Sequence, residues 1–128
     1  MKCLVIGIGT DILHMETLDR RFLQTEDPFY QMTYTEEEQL QGACSNDPSA
    51  YFCLRFAGKE AVFKALNTSP DTVRRWNQIE ILNRATGAPL VNLYGDVKNA
   101  AARAGIKNIH LSLSYDKEYA VAFCVTSE

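Results

Sequence analysis

Arg55-Phe56-Ala57-Gly58-Lys59-Glu60-Ala61-Val62-Phe63-Lys64 is the stretch whose reading decides the fold. Apolar residues recur through it at helical spacing and predict the middle of a helix over about 49–67. At about 100° per residue, Glu60 falls between Phe56 and Phe63, which places a carboxylate half inside the core. Burying an unpaired anion is costly, so Glu60 needs a cation, a metal ion or a shifted pKa. Lys64 lies one turn on and offers an ordinary i,i+4 ion pair. From the residues alone, that pair and a functional role are both open.

Upstream, residues 3 to 8 are a short β-branched apolar run ended by glycine, which predicts a buried strand. Thr10 and Asp11 are good N-cap types, and Ile12, Met15, Leu18, Phe22 and Leu23 then recur at helical spacing, predicting a helix from about 12 to 24. Asp11 is either the cap of that helix or, on a rigid strand end, a ligand for a metal. Asp27-Pro28 interrupts the pattern. Thr35-Glu36-Glu37-Glu38 has the capping-box spacing and starts a short second helix. Gly42 and Ser45-Asn46-Asp47-Pro48 form a loop before the long helix. Downstream, Ile79-Glu80-Ile81-Leu82 and Leu90-Val91-Asn92-Leu93-Tyr94 flank the turn Ala85-Thr86-Gly87-Ala88-Pro89 as a hairpin. Asp96 to Ala104, stopped by Gly105, is a helix. Ile109 to Ser114 and Tyr119 to Val125 make a second hairpin around Asp116-Lys117. The order predicts an α+β domain with a mostly antiparallel sheet, one domain over 1–128.

Composition narrows the function. The chain has 128 residues, 46% hydrophobic and 23% charged, with a formal charge of -3, which argues against nucleic acid as a partner. No apolar run is long enough to span a bilayer, and the N-terminus lacks the pattern of a signal peptide, so no membrane is expected. Cys3, Cys44, Cys53 and Cys124 are scattered without a C-x-x-C pair, which points to reduced thiols in a cytoplasmic protein.

Taken together, Asp11 and Glu60 can hold a hard divalent cation, because Mg²⁺ takes one or two protein carboxylates and fills its shell with phosphate oxygens. Lys64, with Arg55 or Lys59, can then meet phosphate charge, which suggests phosphoryl chemistry on a polyphosphate. His110, Ser112 and Ser114 alternate along one strand and share a face, which an exposed sheet face would explain equally well. No G-x-S-x-G elbow accompanies the serines. Gly7-Ile8-Gly9 lacks the third glycine of a dinucleotide fingerprint. His14 and Glu16 are assigned to a solvated face.

Four segments in this order carry a resemblance: Gly7-Ile8-Gly9-Thr10-Asp11-Ile12; Arg55 to Glu60 with Ala61, Lys64, Ala65 and Leu66; His110-Leu111-Ser112-Leu113-Ser114; and Glu118-Tyr119-Ala120-Val121-Ala122. Together, from residue 4 to 125, they resemble the holo-acyl-carrier-protein synthase family of 4′-phosphopantetheinyl transferases. The resemblance implies that family's fold and transfer of the phosphopantetheine arm of coenzyme A to a serine of an acyl carrier protein, as in fatty acid biosynthesis, with release of adenosine 3′,5′-bisphosphate. It implies Mg²⁺ on Asp11 and Glu60 and Lys64 against the same phosphates. Glu60, directly or through a metal-bound water, is the first choice for taking the serine proton, and loss of the proton to solvent is the other route. It also implies His110 near the nucleotide, with Ser112 on the same face, and Gly87 and Pro89 on the adenine side. A homotrimer with active sites between subunits, Asp11 and the Glu60 helix on different sides of the seam, follows from the same likeness. His14 and Thr17 stand where the family carries an acidic residue and a carrier-docking arginine, and Arg20 and Arg21 restore the charge one turn later. Ala88 replaces a lysine, and Tyr115 a second histidine. The alternative from another class is a non-catalytic coenzyme A-binding or assembly protein that keeps the fold.

Overall fold

The computed structural model describes residues 4–22 and 26–128, with residues 19–22 described by backbone alone. Cys3 and the side chains of Arg20 and Arg21, the expected carrier contacts, therefore lie outside the described residues.

The first strand, β1, runs over Val5–His14, and helix α1 over Met15–Phe22. The expected helix start at residue 12 is thus corrected by three residues, and Asp11 is a strand residue rather than a cap. The reason is tertiary. The C-terminal strand β5, Tyr119–Ser127, is nine residues long and pairs antiparallel with β1 through His14, opposite Tyr119. A continuous ladder of backbone hydrogen bonds outweighs the local capping preference of Thr10 and Asp11.

A short helix, α2 (Pro28–Thr33), occupies a segment given no element in the sequence reading. Asp27 caps it by accepting from Phe29 N at 2.7 Å, and Pro28 sits in its first turn. Helix α3 (Glu36–Ala43) starts at the expected capping box. Thr35 Oγ1 accepts from Glu38 N at 3.2 Å, and Glu38 Oε1 accepts from Thr35 N at 2.9 Å. Helix α4, Pro48–Ala65, is the long one, capped by Asp47. The hairpin β2 (Ile79–Asn83) and β3 (Pro89–Leu93) follows, then α5 (Gly95–Arg103) and β4 (Asn108–Tyr115).

The strands form two antiparallel sheets, one in the order β1-β5-β4 and the other of β2 and β3 alone. Helix α4 covers one face of the larger sheet, where β5 presents Ala120, Ala122 and Cys124, all 0% exposed. Small residues there let the helix lie close. Ala57, Ala61 and Ala65 are equally buried on its own side of the contact, and Tyr30, Tyr34 and Phe52 fill the space toward α2 and α3. The opposite sheet face is exposed and partly apolar, with Ile8, Ile12, Val121 and Phe123 in the open. Among the described residues no helix is long and apolar enough to cross a membrane.

Candidate active site

Strand alternation puts Gly7, Gly9 and Asp11 in one row on the face that meets α4. A Cβ on Gly7 would stand 2.1 Å from Ala65 O, and one on Gly9 2.0 Å from Ala61 O, so only glycine admits the helix there. The pairing has a simple metric origin. Two residues of strand advance about 6.6 Å and four residues of helix about 6 Å, so the antiparallel helix keeps step with the strand. The next step past Gly9 and Ala61 brings Asp11 beside the turn of α4 that carries Glu60. Farther along, Cys53 Sγ reaches Met15 O at 3.5 Å, just past the end of the strand.

Asp11 and Glu60 consequently stand beside each other within one chain, which corrects the expectation that a subunit seam divides them. Glu60 is half-buried, and its pKa is pushed up to about 7, first by burial, then by the hydrogen bond and the charge of Asp11, with Lys64 pulling the other way. Lys64 Nζ donates to Asp11 Oδ1 at 3.3 Å and to Thr10 O at 2.9 Å. The Asp11 side chain is 10% exposed and that of Lys64 53%, so the ammonium stands at the mouth of the site. Lys64 thus bonds Asp11 on the strand, where the sequence offered the i,i+4 pair with Glu60 as the ordinary reading.

Two carboxyl groups placed side by side form a donor set suited to a divalent cation. Among the described residues no three His, Cys, Asp or Glu side chains converge on one point. A hard ion held here therefore has two protein ligands and takes its remaining oxygens from water or substrate, which fits Mg²⁺ better than Ca²⁺ or Zn²⁺.

The other expected site residues lie elsewhere. His110 belongs to β4, in register with Val125 of β5, which pairs with Ile8, and it faces outward with Ser112 and Ser114. Asp11 faces inward, and β4 and β1 lie on opposite sides of β5. His110 does not meet Asp11 within one chain. It lines instead a cleft of about 320 Å³ with Arg84, Pro89, Leu90, Val91 and Lys107, between the facing edges of β3 and β4. Gly87 stands in the hairpin turn above, at φ 90°.

Arg55 is 4% exposed. It donates to Asn83 Oδ1 at 2.6 Å and lies over the Tyr51 ring, while its Nε has no acceptor among the described residues. Lys59, read as a second phosphate contact, turns inward and pairs with Glu38 at 2.8 Å, both fully buried. At 100° per residue the two lysines are about 140° apart around the helix, so only Lys64 reaches the mouth. The sequence reading missed the Lys59 and Glu38 pair. Its signal was present, since Lys59 stands one turn after Arg55 and one before Phe63, on an arc that the core covers.

The fold has close counterparts. The family model of the 4′-phosphopantetheinyl transferase superfamily matches residues 7–124. A holo-[acyl-carrier-protein] synthase of Natranaerobius thermophilus is 36% identical over 119 residues, covering 93% of this chain and 94% of the relative. The crystal structure of holo-ACP-synthase from Plasmodium yoelii superposes with a TM-score of 0.83 at 31% identity, covering 99% of this chain and 98% of that one. A holo-(acyl-carrier-protein) synthase of Bacillus anthracis, solved in complex with CoA (3′,5′-ADP), superposes at a TM-score of 0.73 and 28% identity, with 97% of each chain covered. With the match spanning nearly the whole chain, and with the motif carboxylates Asp11 and Glu60 meeting at one corner, this protein belongs to the 4′-phosphopantetheinyl transferase superfamily.

Proposed function

We propose that this chain transfers the 4′-phosphopantetheine group of coenzyme A to a serine hydroxyl of an acyl carrier protein, with Asp11 and Glu60 holding a Mg²⁺ ion. The observation that carries this reading is the meeting of those two carboxylates beside the exposed Lys64 ammonium. When bound there, Mg²⁺ supplies positive charge to the pyrophosphate of coenzyme A.

Lys64 binds a phosphate oxygen through Nζ, giving up its hold on Asp11, and stabilises charge that grows on the leaving group. The serine oxygen attacks the phosphorus of the phosphopantetheine, the bond to the adenosine bisphosphate breaks, and the proton passes to a Glu60 carboxylate oxygen. The buried, acceptor-free Nε of Arg55 and the Pro89 and His110 cleft are assigned to coenzyme A, with Gly87 and Ser112 at its margins.

Since His110 and Asp11 are on opposite sheet faces, one complete site calls for more than one copy. We assign that role to a homotrimer, formed through the open face of Ile8, Ile12, Val121 and Phe123, which are 39–65% exposed. A cytoplasmic setting fits this chemistry. Arg20 and Arg21 are assigned to the acidic carrier.

The test is mass spectrometry of apo acyl and peptidyl carrier proteins incubated with this protein, coenzyme A and Mg²⁺. Addition of one phosphopantetheine group is expected, and it disappears when Mg²⁺ is chelated. Coenzyme A binding without modification of any carrier would instead establish a binding protein on the same fold.

A further inference from the structure

Among the described residues, strand β2 has a strand neighbour on one edge only, β3, in register from Ile79 opposite Leu93 to Asn83 opposite Pro89. The other edge points into the protein, where unpaired backbone groups are costly. Side chains of α3 and α4 replace the missing strand. Lys59 Nζ donates to Ile79 O, Glu38 Oε2 accepts from Ile81 N at 2.9 Å, and Gln41 Oε1 accepts from Asn83 N at 3.1 Å. These are alternate residues, 79, 81 and 83, the spacing at which a strand presents its groups to one edge. Lys59 and Glu38 close this seam on each other, and Lys59 Nζ also reaches Trp76 O at 3.4 Å.

The hairpin shares no ladder with the three-stranded sheet. What joins it to α4 is the burial of Ile79 and Ile81, this polar seam, and the hydrogen bond from Arg55 to Asn83 Oδ1 at the end of β2. Apolar contacts alone tolerate sliding, whereas an ammonium with fixed acceptors sets one position along the strand. Lys59 directly precedes Glu60, and β3 directly follows the turn that holds Gly87.

We infer that Lys59 is a positioning residue for coenzyme A: its ammonium fixes the β2–β3 hairpin against α4, and so sets where Pro89 and its cleft stand in each copy. This rests on the transferase reading above. The Glu60 end is held separately, by the packing of Ala61 and Ala65 on Gly9 and Gly7. Loss of the seam should therefore weaken nucleotide binding more than the chemical step.

The experiment compares Lys59→Met, Lys59→Arg and the double variant Lys59→Met/Glu38→Gln, which removes both charges of the pair together. Folded fraction is read by near-UV circular dichroism, transfer by steady-state kinetics, and coenzyme A affinity by calorimetry with Mg²⁺ present. For the folded double variant the expected result is a KM for coenzyme A raised about tenfold or more, a matching loss of affinity, and kcat within about threefold of wild type. Lys59→Arg should recover part of the affinity. A folded double variant with wild-type KM and affinity overturns the inference, as does a fall in kcat at unchanged KM. A double variant that does not fold also overturns it, because the pair is then a stability element. Wild-type protein that binds coenzyme A but modifies no carrier removes the transferase reading instead, and the affinity comparison still decides the role of Lys59.

Discussion

Glu60 is held in a metal-free protein by two opposed demands: α4 packs it into a half-buried corner, and Asp11 stands against it. Its pKa of about 7 exceeds the ordinary carboxyl value, so between the two the folded state binds more protons than the unfolded one. Stability therefore falls as pH rises through that window. In chelator, the melting temperature of the wild type should drop from about pH 5 to about pH 8, while Glu60→Gln should flatten that part of the drop and abolish transfer. A wild-type profile identical to that of the variant would show that the pair does not share a proton. Gly9 is the second test at this scale. In Gly9→Ala the new methyl meets Ala61 O, where a Cβ would lie at 2.0 Å, and overpacking of this kind costs about 1–3 kcal/mol. Because the same displacement moves Glu60 from Asp11, activity per folded molecule should fall as well, which denaturant melts and kinetics on the same sample measure together.

The Thr35 and Glu38 capping box is an element-scale feature written openly in four consecutive residues, and it forms as written. Thr35 Oγ1 also donates to Glu80 Oε2 at 2.6 Å, which links the start of α3 to β2. Thr35→Val should cost about 1–2 kcal/mol, read as a lower urea midpoint at unchanged slope. The long helix and both hairpins were equally legible, because helical spacing around Phe56 and alternation around Ser112 are local signals. The extent of β1 was not. Thr10 and Asp11 carry the local chemistry of a helix start, and only the length of a partner strand more than 100 residues away overrides it. Helix α2 was hidden for a related reason: its six residues are too few to show a period, and Asp27-Pro28 reads as a break and as a helix start alike.

On the scale of the whole molecule, the two carboxylates were individually legible, Asp11 by its place after a glycine-ended strand and Glu60 by its place between two phenylalanines. Their meeting within one chain was not legible: the family resemblance put Asp11 and the Glu60 helix on different sides of a subunit seam, and the matching steps of two in Gly7, Gly9, Asp11 and of four in Ala65, Ala61, Ala57 bring them together only once strand and helix are antiparallel neighbours. His110 was placed correctly on a polar strand face, but nothing local tells on which side of β5 it lies from Asp11. That separation is why assembly matters to the proposed reaction. Phe123→Asp, on the open sheet face away from Asp11, should convert a trimer to monomers in light scattering and remove transfer with it. A monomeric variant with wild-type activity would contradict a shared site. The most direct measurement of the central claim is calorimetric titration of coenzyme A with and without Mg²⁺, on wild type, Asp11→Asn and Glu60→Gln. If these two side chains hold the ion beside the pyrophosphate, Mg²⁺ strengthens binding to wild type and has no effect on either variant. Equal affinity with and without Mg²⁺ in the wild type, or a variant that keeps the full response, would contradict it.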